Sequence, residues 1–187
     1  MQIIIRPALI TDAASLARVR VDTWRTSYRG LIPETAIASM DIQKEIARWD
    51  ERLREPVPDT FLFAAEIKPE PGDAESGVEP GVVGFCGGGP DRDADLAYSG
   101  ELYAIYVLQA YQGKRVGRAL VQSAVDWLRQ NGHRSMLIWV LRDNHHARRF
   151  YEALGGKAVR ERSVVIGGAA LPEVGYGYDL SRWLAQD

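Results

Sequence analysis

The segment 106–120 limits the possible folds of this chain more than any other, because an apolar β-strand pattern stops there and a helical pattern begins after glycines and cations. Its turn, residues 112–117, reads Gln-Gly-Lys-Arg-Val-Gly. The first NH groups of a helix have no partner inside the helix, and the helix dipole is positive at that end. The turn therefore predicts an anion-binding geometry, in which a phosphate or pyrophosphate is the natural occupant. Lys114, Arg115 and Arg118 supply the matching charge.

Two glycines, Gly113 and Gly117, also fit an ordinary strand-to-helix turn, so the class of ligand has to come from the wider context. The spacing is not G-x-G-x-x-G, and no G-x-x-x-x-G-K-[ST] occurs in the chain. Neither a dinucleotide-binding fold nor a P-loop is therefore the better match. The pattern indicates another phosphate-bearing cofactor.

Two segments in matching order resemble the GCN5-related N-acetyltransferases. The turn is similar to that family's acetyl-CoA signature, [Q/R]-x-x-G-x-[G/A] directly after a strand, with Gln112 and Gly117 at its two ends. Residues 144–155, Asn-His-His-Ala-Arg-Arg-Phe-Tyr-Glu-Ala-Leu-Gly, resemble the family's N-x-x-A-x-x-[FL]-Y-x-x-x-G segment. Arg115 stands where the family usually has Gly. We expect the change to be tolerated, with a negative φ at Arg115, a backbone NH free to donate and a side chain that reaches a phosphate.

The pattern of strands and helices predicts a single α/β (α+β) domain over residues 1–187. A chain of 187 residues with 46% hydrophobic content can bury the core of one domain. The order is strand, helices, three strands, helix, strand, helix and two strands, which again resembles the acetyltransferase fold. The strands at 100–107 and 135–141 are expected to be parallel, because a right-handed crossover joins them. The resemblance implies a mixed sheet of about six to seven strands, flanked by helices, with this parallel pair splayed apart at the cofactor site.

Several element boundaries follow from cap and turn residues. The first helix is predicted to begin with an N-cap at residues 11–12 and to end at Gly30. The third strand is predicted to occupy residues 81–87, between polar connections at 68–80 and 88–95. The first of these connections has the proline, glycine and acid content of an elongated hairpin loop.

Composition and charge exclude several classes of function. A net charge of -2 and a pI near 6.0 argue against a general nucleic-acid binder. No apolar run approaches the roughly 20 residues of a transmembrane helix, and residues 1–6 lack a signal-peptide pattern. We therefore expect no membrane partner and a cytoplasmic location. The only cysteine, Cys86, fits a small buried residue of a strand. Adjacent His145 and His146 point to different sides of a helix, so no metal site is predicted.

The resemblance implies acetyl-CoA as the cofactor, bound in the opening between the two splayed strands. The turn would hold the CoA pyrophosphate, and the strand edge at residues 105–107 would pair with the amides of the pantetheine arm. Asn144 resembles a residue that contacts this arm, but Asn is also a preferred N-cap, and the two roles are compatible. Arg148 and Arg149 are candidates for the 3′-phosphate. The cofactor-binding candidates are therefore Ile105, Tyr106, Val107, Gln112, Gly113, Lys114, Arg115, Val116, Gly117, Arg118, Asn144 and Arg148.

Three residues are candidates for the chemistry of amide formation. Tyr151 resembles the tyrosine from which this family often protonates the CoA sulfur, and a phenol keeps its proton at neutral pH. Helical spacing also fits Tyr151 as a core aromatic. The backbone NH of Val107 is a candidate donor to the oxyanion. Glu101, on the same strand, is a candidate base toward an ammonium acceptor through water, although a solvated acid at a strand end fits the sequence nearly as well.

Trp24 and Tyr28 are the acceptor-binding candidates. They belong to a Trp-x-x-x-Tyr-x-Gly-[LI]-[IL]-Pro pattern at residues 24–33, which resembles a bacterial subset of the family, and core packing explains Trp24 equally well. The chain is thus expected to move an acetyl group from acetyl-CoA to a primary amine of a small molecule by direct attack. The alternatives are a non-catalytic acyl-CoA sensor or regulatory module, and a nucleotide-binding enzyme that uses the same turn. A homodimer through the late strands would be compatible with the sequence.

Overall fold

The computed structural model describes residues 1–68, 70, 80–93 and 97–183. Within these residues the predicted order of elements is confirmed. The strands are β1 (Gln2–Pro7), β2 (Phe61–Lys68), β3 (Gly81–Pro90), β4 (Gly100–Val107), β5 (Ser135–Leu141), β6 (Lys157–Ile166) and β7 (Ala169–Asp179). The helices are α1 (Ala13–Ser27), α2 (Glu34–Ala38), α3 (Ile42–Arg54), α4 (Val116–Gln130) and α5 (His145–Ala153).

The seven strands of the described residues form one mixed sheet in the order β1-β2-β3-β4-β5-β7-β6. Neighbouring strands are antiparallel except β4 and β5, which are parallel as predicted. Helix α4 makes the crossover between this parallel pair. The tight turn after β6 returns the chain as β7, which lies between β5 and β6.

β4 and β5 separate soon after they meet. Their pairing runs only from Gly100 opposite Met136 to Leu102 opposite Ile138. Just beyond it, the register of β4 against β3 shifts, because Gly87 pairs with Ala104 while the next residue pairs with Leu102. Such a bulge bends the strand that carries the extra residue. We attribute the separation of β4 from β5 to this bend, and it opens the splayed gap that the resemblance implies.

Two apolar clusters cover opposite faces of the sheet. α4 and α5 pack on one face, where Leu120, Ala124 and Leu128 of α4 are fully buried. α1 and α3 pack on the other face against Phe85. Consecutive residues of β3 divide between the clusters, with Phe85 in one and Cys86 in the other, as the alternation of side chains along a strand requires.

Two predicted boundaries are corrected by the structure. α1 ends at Ser27, ahead of Gly30, which has a φ of +80° in the turn that follows. The start of α1 is confirmed, with Asp12 as its N-cap residue, although the Asp12 side chain makes no bond to α1, because its carboxylate accepts from Arg6 and from the NH of Leu9. β3 continues through residues 88–90, which were predicted to be a connection.

Of the predicted hairpin loop at residues 68–80, residues 69 and 71–79 lie outside the described residues, as do residues 94–96 of the second connection. Among the described helices, none has the length and apolar character needed to cross a bilayer.

Candidate active site

A cleft of about 890 Å³ occupies the gap between β4 and β5. Its floor consists of residues 102–107 of β4 and 138–141 of β5. The end of α1, the turn before α4 and the first turns of α5 form its walls. The side chains that the sequence predicts for the acceptor, the cofactor and the chemistry therefore meet largely in one place.

The turn before α4 presents a row of unpaired donors. None of the backbone NH groups from residue 113 to residue 118 donates a hydrogen bond to another described residue, and the N-cap residue Arg115 makes no side-chain bond to the helix. Gly113 and Arg115 both have left-handed backbones, with φ of +72° and +66°. Arg115 and Arg118 also line the cleft. This is the geometry and charge that an anion at a helix N-terminus requires.

The positive φ of Arg115 corrects the sequence-based expectation of a negative value. The turn needs a left-handed residue immediately before α4. Glycine adopts this conformation at the lowest cost of any residue, but in this chain the position is occupied by an arginine. A left-handed backbone costs an L-residue with a Cβ about 1–2 kcal/mol. The anion turn is therefore built with local backbone strain.

Replacing Arg115 should expose this strain. We expect Arg115→Gly to be about 0.5–1 kcal/mol more stable than Arg115→Ala, since both remove the charge but only glycine relieves the left-handed backbone. Urea unfolding followed by fluorescence measures the difference. At Lys114, whose φ is not positive, the same pair of variants should rank in the opposite order. Equal stability of the two Arg115 variants would contradict the strain.

Three other residues of the turn do not place a charge in the cleft. They are Gln112, Lys114 and Val116. The Gln112 amide donates to the Val107 carbonyl at 3.0 Å and to the Ser27 hydroxyl at 3.3 Å, so it ties the turn to β4 and α1. The Lys114 ammonium lies over the Tyr111 ring, 5.4 Å from its centroid. The Val116 side chain is buried in the core. Lys114 and Val116 offer backbone NH groups at this position.

The free edge of β4 faces the gap. The NH of Leu108 donates to the Val83 carbonyl at 2.9 Å, which directs residue 108 toward β3. Because backbone polar groups alternate in direction along an antiparallel strand, those of Val107 and Ile105 point the other way, into the cleft. The bond from Gln112 to the Val107 carbonyl agrees with this direction. A strand-like ligand can therefore pair with this edge.

α5 brings Asn144 and Arg149 to the cleft, together with Tyr151. Asn144 is the N-cap of α5, and its side-chain oxygen accepts from the NH of Ala147 at 3.1 Å. The Arg148 side chain turns elsewhere, because it donates to the Tyr176 hydroxyl and to the Arg142 carbonyl, both at 3.0 Å. Of the two arginines predicted for the 3′-phosphate, Arg149 lines the cleft and Arg148 does not, so the placement of Arg148 at the cofactor site is corrected.

Tyr151 lies at the cleft with 6% of its surface exposed. Its backbone carbonyl accepts from the Tyr178 hydroxyl at 2.9 Å, which fixes this part of α5 on β7. The Tyr151 hydroxyl makes no hydrogen bond to another described residue. Burial, with a smaller contribution from Tyr106, raises the pKa of Tyr151 well above its ordinary value. The phenol therefore keeps its proton and has that proton free to donate.

Glu101 does not line the cleft among the described residues. It is buried, with 1% of its surface exposed, and its carboxylate accepts from the backbone NH of Arg92 at 3.1 Å and from that residue's guanidinium. Arg92 itself stacks on Tyr103, 4.4 Å from the ring centroid. The structure thus gives Glu101 a structural role at the start of β4, and this corrects its assignment as the base.

A substitution separates the two roles of Glu101. We expect Glu101→Gln to lower the free energy of unfolding by about 1–3 kcal/mol, because a buried charge-assisted bond to Arg92 is lost. The kcat of the reaction that the sequence resemblance implies should stay within about threefold of the wild type. Asp50→Asn, which removes an exposed ion pair to Arg54 on α3, should leave the urea midpoint nearly unchanged. A stable Glu101→Gln variant with kcat reduced 100-fold would restore the catalytic role.

The acceptor candidates line the cleft opposite α5. The rings of Trp24 and Tyr28 stack with centroids 5.4 Å apart, and the Trp24 indole NH donates to the Tyr106 hydroxyl at 3.3 Å. Burial raises the pKa of Tyr28, with further contributions from Tyr106 and Tyr151. This wall therefore presents neutral aromatic surface to the cleft.

Sequence patterns missed several residues that line the same end. Glu173 and Ile166 come from the last hairpin, and Trp139 comes from β5. The turn of this hairpin packs on α2, since a Cβ on Gly167 would lie 2.8 Å from that of Ala36. No local signal marks these positions, because only the register of β7 against β5 brings them to the gap.

The described fold combines two splayed parallel strands with a cleft that ends at a helix N-terminus whose NH groups are unpaired. A model of the acetyltransferase (GNAT) family matches residues 25–156. The uncharacterized N-acetyltransferase YuaI of Bacillus subtilis strain 168 is 36% identical over 178 residues, which cover 95% of this chain and 94% of that protein. The chain therefore belongs to the GNAT acetyltransferase family.

Solved structures share the fold at lower identity. The acetyltransferase yncA of Salmonella typhimurium, solved with its cofactor acetyl-CoA, has a TM-score of 0.67 and 22% identity, and the match covers 100% of this chain and 99% of that one. The paia N-acetyltransferase of Thermoplasma acidophilum, in complex with coenzyme A, has a TM-score of 0.66 and 22% identity over 92% of this chain and 98% of that one.

Proposed function

We propose that this protein is a cytoplasmic N-acetyltransferase that moves the acetyl group of acetyl-CoA directly to a primary amine of a small molecule. One observation carries the proposal: the gap between β4 and β5 joins the unpaired NH groups before α4 to the free hydroxyl of Tyr151. The cofactor complexes of yncA and of the Thermoplasma enzyme support CoA as the ligand of such a gap.

The residues of the cleft fit this cofactor. The turn at 113–118 would bind the diphosphate, and Arg115 and Arg118 would add charge to its backbone donors. The edge of β4 at residues 105–107 would pair with the amides of pantetheine. Arg149 would face the 3′-phosphate from α5, and Asn144 would contact the arm with the part of its amide that the N-cap leaves unused. Bound acetyl-CoA supplies the activated acetyl thioester.

The chemistry needs stabilisation of an oxyanion and a proton for the thiolate. The neutral amine attacks the thioester carbonyl carbon, and the NH of Val107 donates to the oxygen on which negative charge develops. When the carbon–sulfur bond breaks, the electron pair stays on sulfur, and Tyr151 donates its proton there. An acceptor that enters as an ammonium first loses one proton to water in the open cleft and so becomes the neutral amine. After the attack its nitrogen loses a second proton to water, and the Tyr151 phenolate regains a proton from water. Cys86 is not required, because it is buried against the Leu120 carbonyl and burial raises the pKa of its thiol.

A thermal-shift screen followed by an assay of thiol release tests the proposal. A ligand at 100 times its dissociation constant stabilises the folded state by about 2.7 kcal/mol, which corresponds to about 5–10 °C in a domain of this size. Acetyl-CoA and CoA should each raise Tm by about that amount, and ATP and NAD should not. Wild-type protein should then release CoA in the presence of at least one amine of a panel of polyamines, amino acids and amino sugars.

Two alternatives predict different results in the same screen. A non-catalytic acyl-CoA sensor binds acetyl-CoA but releases no thiol with any amine. A nucleotide-binding enzyme is stabilised more by ATP or NAD than by CoA. Either result would overturn the proposed function.

A further inference from the structure

We propose that Glu173 binds the cationic group of the acceptor, so that this transferase selects small amines that enter the cleft as ammonium ions. The inference depends on the proposed function, because it names the acceptor class of the same site. It rests on the position of Glu173, on the hydrogen bonds of its two oxygens and on the distribution of charge along the cleft.

Glu173 lies on β7 at the open end of the gap. Its partner on β5 is Leu141, three residues beyond the last residue of β5 that pairs with β4. On its other side it lies opposite Arg162 of β6. The side chain lines the cleft and is 13% exposed. Glu173 therefore reaches the cleft where β4 no longer covers β5.

One carboxylate oxygen of Glu173 is held and the other is available. Arg162 donates through Nε to Glu173 Oε2 at 2.9 Å, and its NH1 donates to Asp93 at 2.7 Å. The guanidinium also lies 4.0 Å from the centroid of the Trp139 ring, which restricts its movement. No hydrogen bond from a described residue reaches Glu173 Oε1, and that atom is not sealed from solvent. Arg162 thus fixes the carboxylate while Oε1 stays free to accept.

The charges favour a cation at this end. Glu173 is the one acidic residue among the described residues that line the cleft, whereas Arg115, Arg118 and Arg149 gather toward the turn and α5. The group formed by Asp93, Arg162 and Glu173 contains two carboxylates and one guanidinium, so it retains a net negative charge. A diphosphate at one end and an ammonium at the other complement this distribution.

Aromatic rings border the available oxygen. Trp139 lies on the same face of the sheet, since its partner on β7 is Gly175, two residues from Glu173. Tyr28 lies near enough that the charge of Glu173 contributes to the raised pKa of its phenol. An ammonium that donates to Oε1 would therefore lie near these two aromatic side chains, whose rings would add attraction for a cation.

Replacing Glu173 with glutamine tests the inference with the amine that the wild type acetylates best. We expect KM for that amine to rise about 10- to 100-fold, which corresponds to the loss of a charge-assisted hydrogen bond. KM for acetyl-CoA and the rise of Tm with CoA should not change. Glu66→Gln on β2 is the matched control, because it breaks a similar glutamate–arginine pair, to Arg6 at 2.6 Å, away from the cleft. It should leave KM for the amine unchanged.

A second measurement needs no variant. The unreactive trimethylammonium analogue of the amine should compete with it in the wild type, and its uncharged tert-butyl analogue should compete at least tenfold more weakly. Equal inhibition by the two analogues, or an amine KM in Glu173→Gln within twofold of the wild type, would overturn the inference while the proposed function stands. Absence of acetyl transfer by the wild type itself would instead overturn the proposed function.

Discussion

Tyr151→Phe is expected to lower kcat for acetyl transfer about 100-fold and to leave the binding of CoA unchanged. Proton donation by a positioned side chain typically contributes at least this factor. The phenylalanine ring retains the packing of Tyr151 against Tyr176, whose centroid is 6.0 Å away, but it has no proton for the departing thiolate. Stopped assays of thiol release give kcat, and the rise of Tm with CoA reports cofactor binding.

The pH profile adds a second test of Tyr151. Because burial raises the pKa of its phenol, the proton stays in place above pH 10, where an exposed tyrosine loses it. We therefore expect no loss of kcat between pH 8 and about 10 from this group. Tyr176→Phe is the control, because the Tyr176 hydroxyl is hydrogen-bonded to Arg148 and Glu152 outside the cleft. The kcat of this variant should match that of the wild type. Full activity in Tyr151→Phe would show that Tyr151 has no role as a proton donor and contributes only to core packing.

Gly88→Ala is expected to lower the free energy of unfolding by about 3 kcal/mol. A Cβ at this position would lie 2.6 Å from Cζ of Phe61 and closer still to the carbonyl oxygen of Glu101. The backbone of β4 cannot move away cheaply, because Glu101 is anchored to Arg92 beside the bulge. Overpacking of this kind destabilises by about 1–3 kcal/mol or more. The expected loss of about 3 kcal/mol corresponds to a decrease of about 6–12 °C in Tm.

Gly87→Ala is the matched control for Gly88→Ala. Its Cβ would meet Leu62 and the Phe61 carbonyl at 3.3 Å, a distance that a slight movement relieves. Its loss in Tm should be less than half that of Gly88→Ala. If the two variants had the same Tm, the close approach of β3 to the bulge would not be the cause of the destabilisation in Gly88→Ala.

The fold followed from local patterns to a large extent. The helix predicted between residues 100–107 and 135–141 implied a right-handed crossover, which predicted the parallel direction of β5 beside β4. The anion-binding turn before α4 and the Asn144 N-cap were also predictable, because glycine, cationic and capping residues indicate these features within a few positions of the sequence.

The remaining features depend on contacts between distant residues. The role of Glu101 was decided by Arg92 and by burial, neither of which the spacing along β4 reveals. The left-handed backbone of Arg115 contradicts residue preference, since only the tertiary context can impose it. Glu173 reaches the cleft through a register with β5 that no local pattern encodes.

Because β7 lies between β5 and β6, the two ends of the cleft come from different parts of the sequence. The edge of β4, the turn before α4 and the start of α5 come from one continuous stretch, residues 105–151, whereas the opposite end combines the close of α1 and Trp139 of β5 with the last hairpin. Residues 157–179 lie beyond the 25–156 that match the family model. Under the proposed function, exchanging this hairpin for that of a relative is expected to change which amine is acetylated, while the binding of the acetyl donor stays the same.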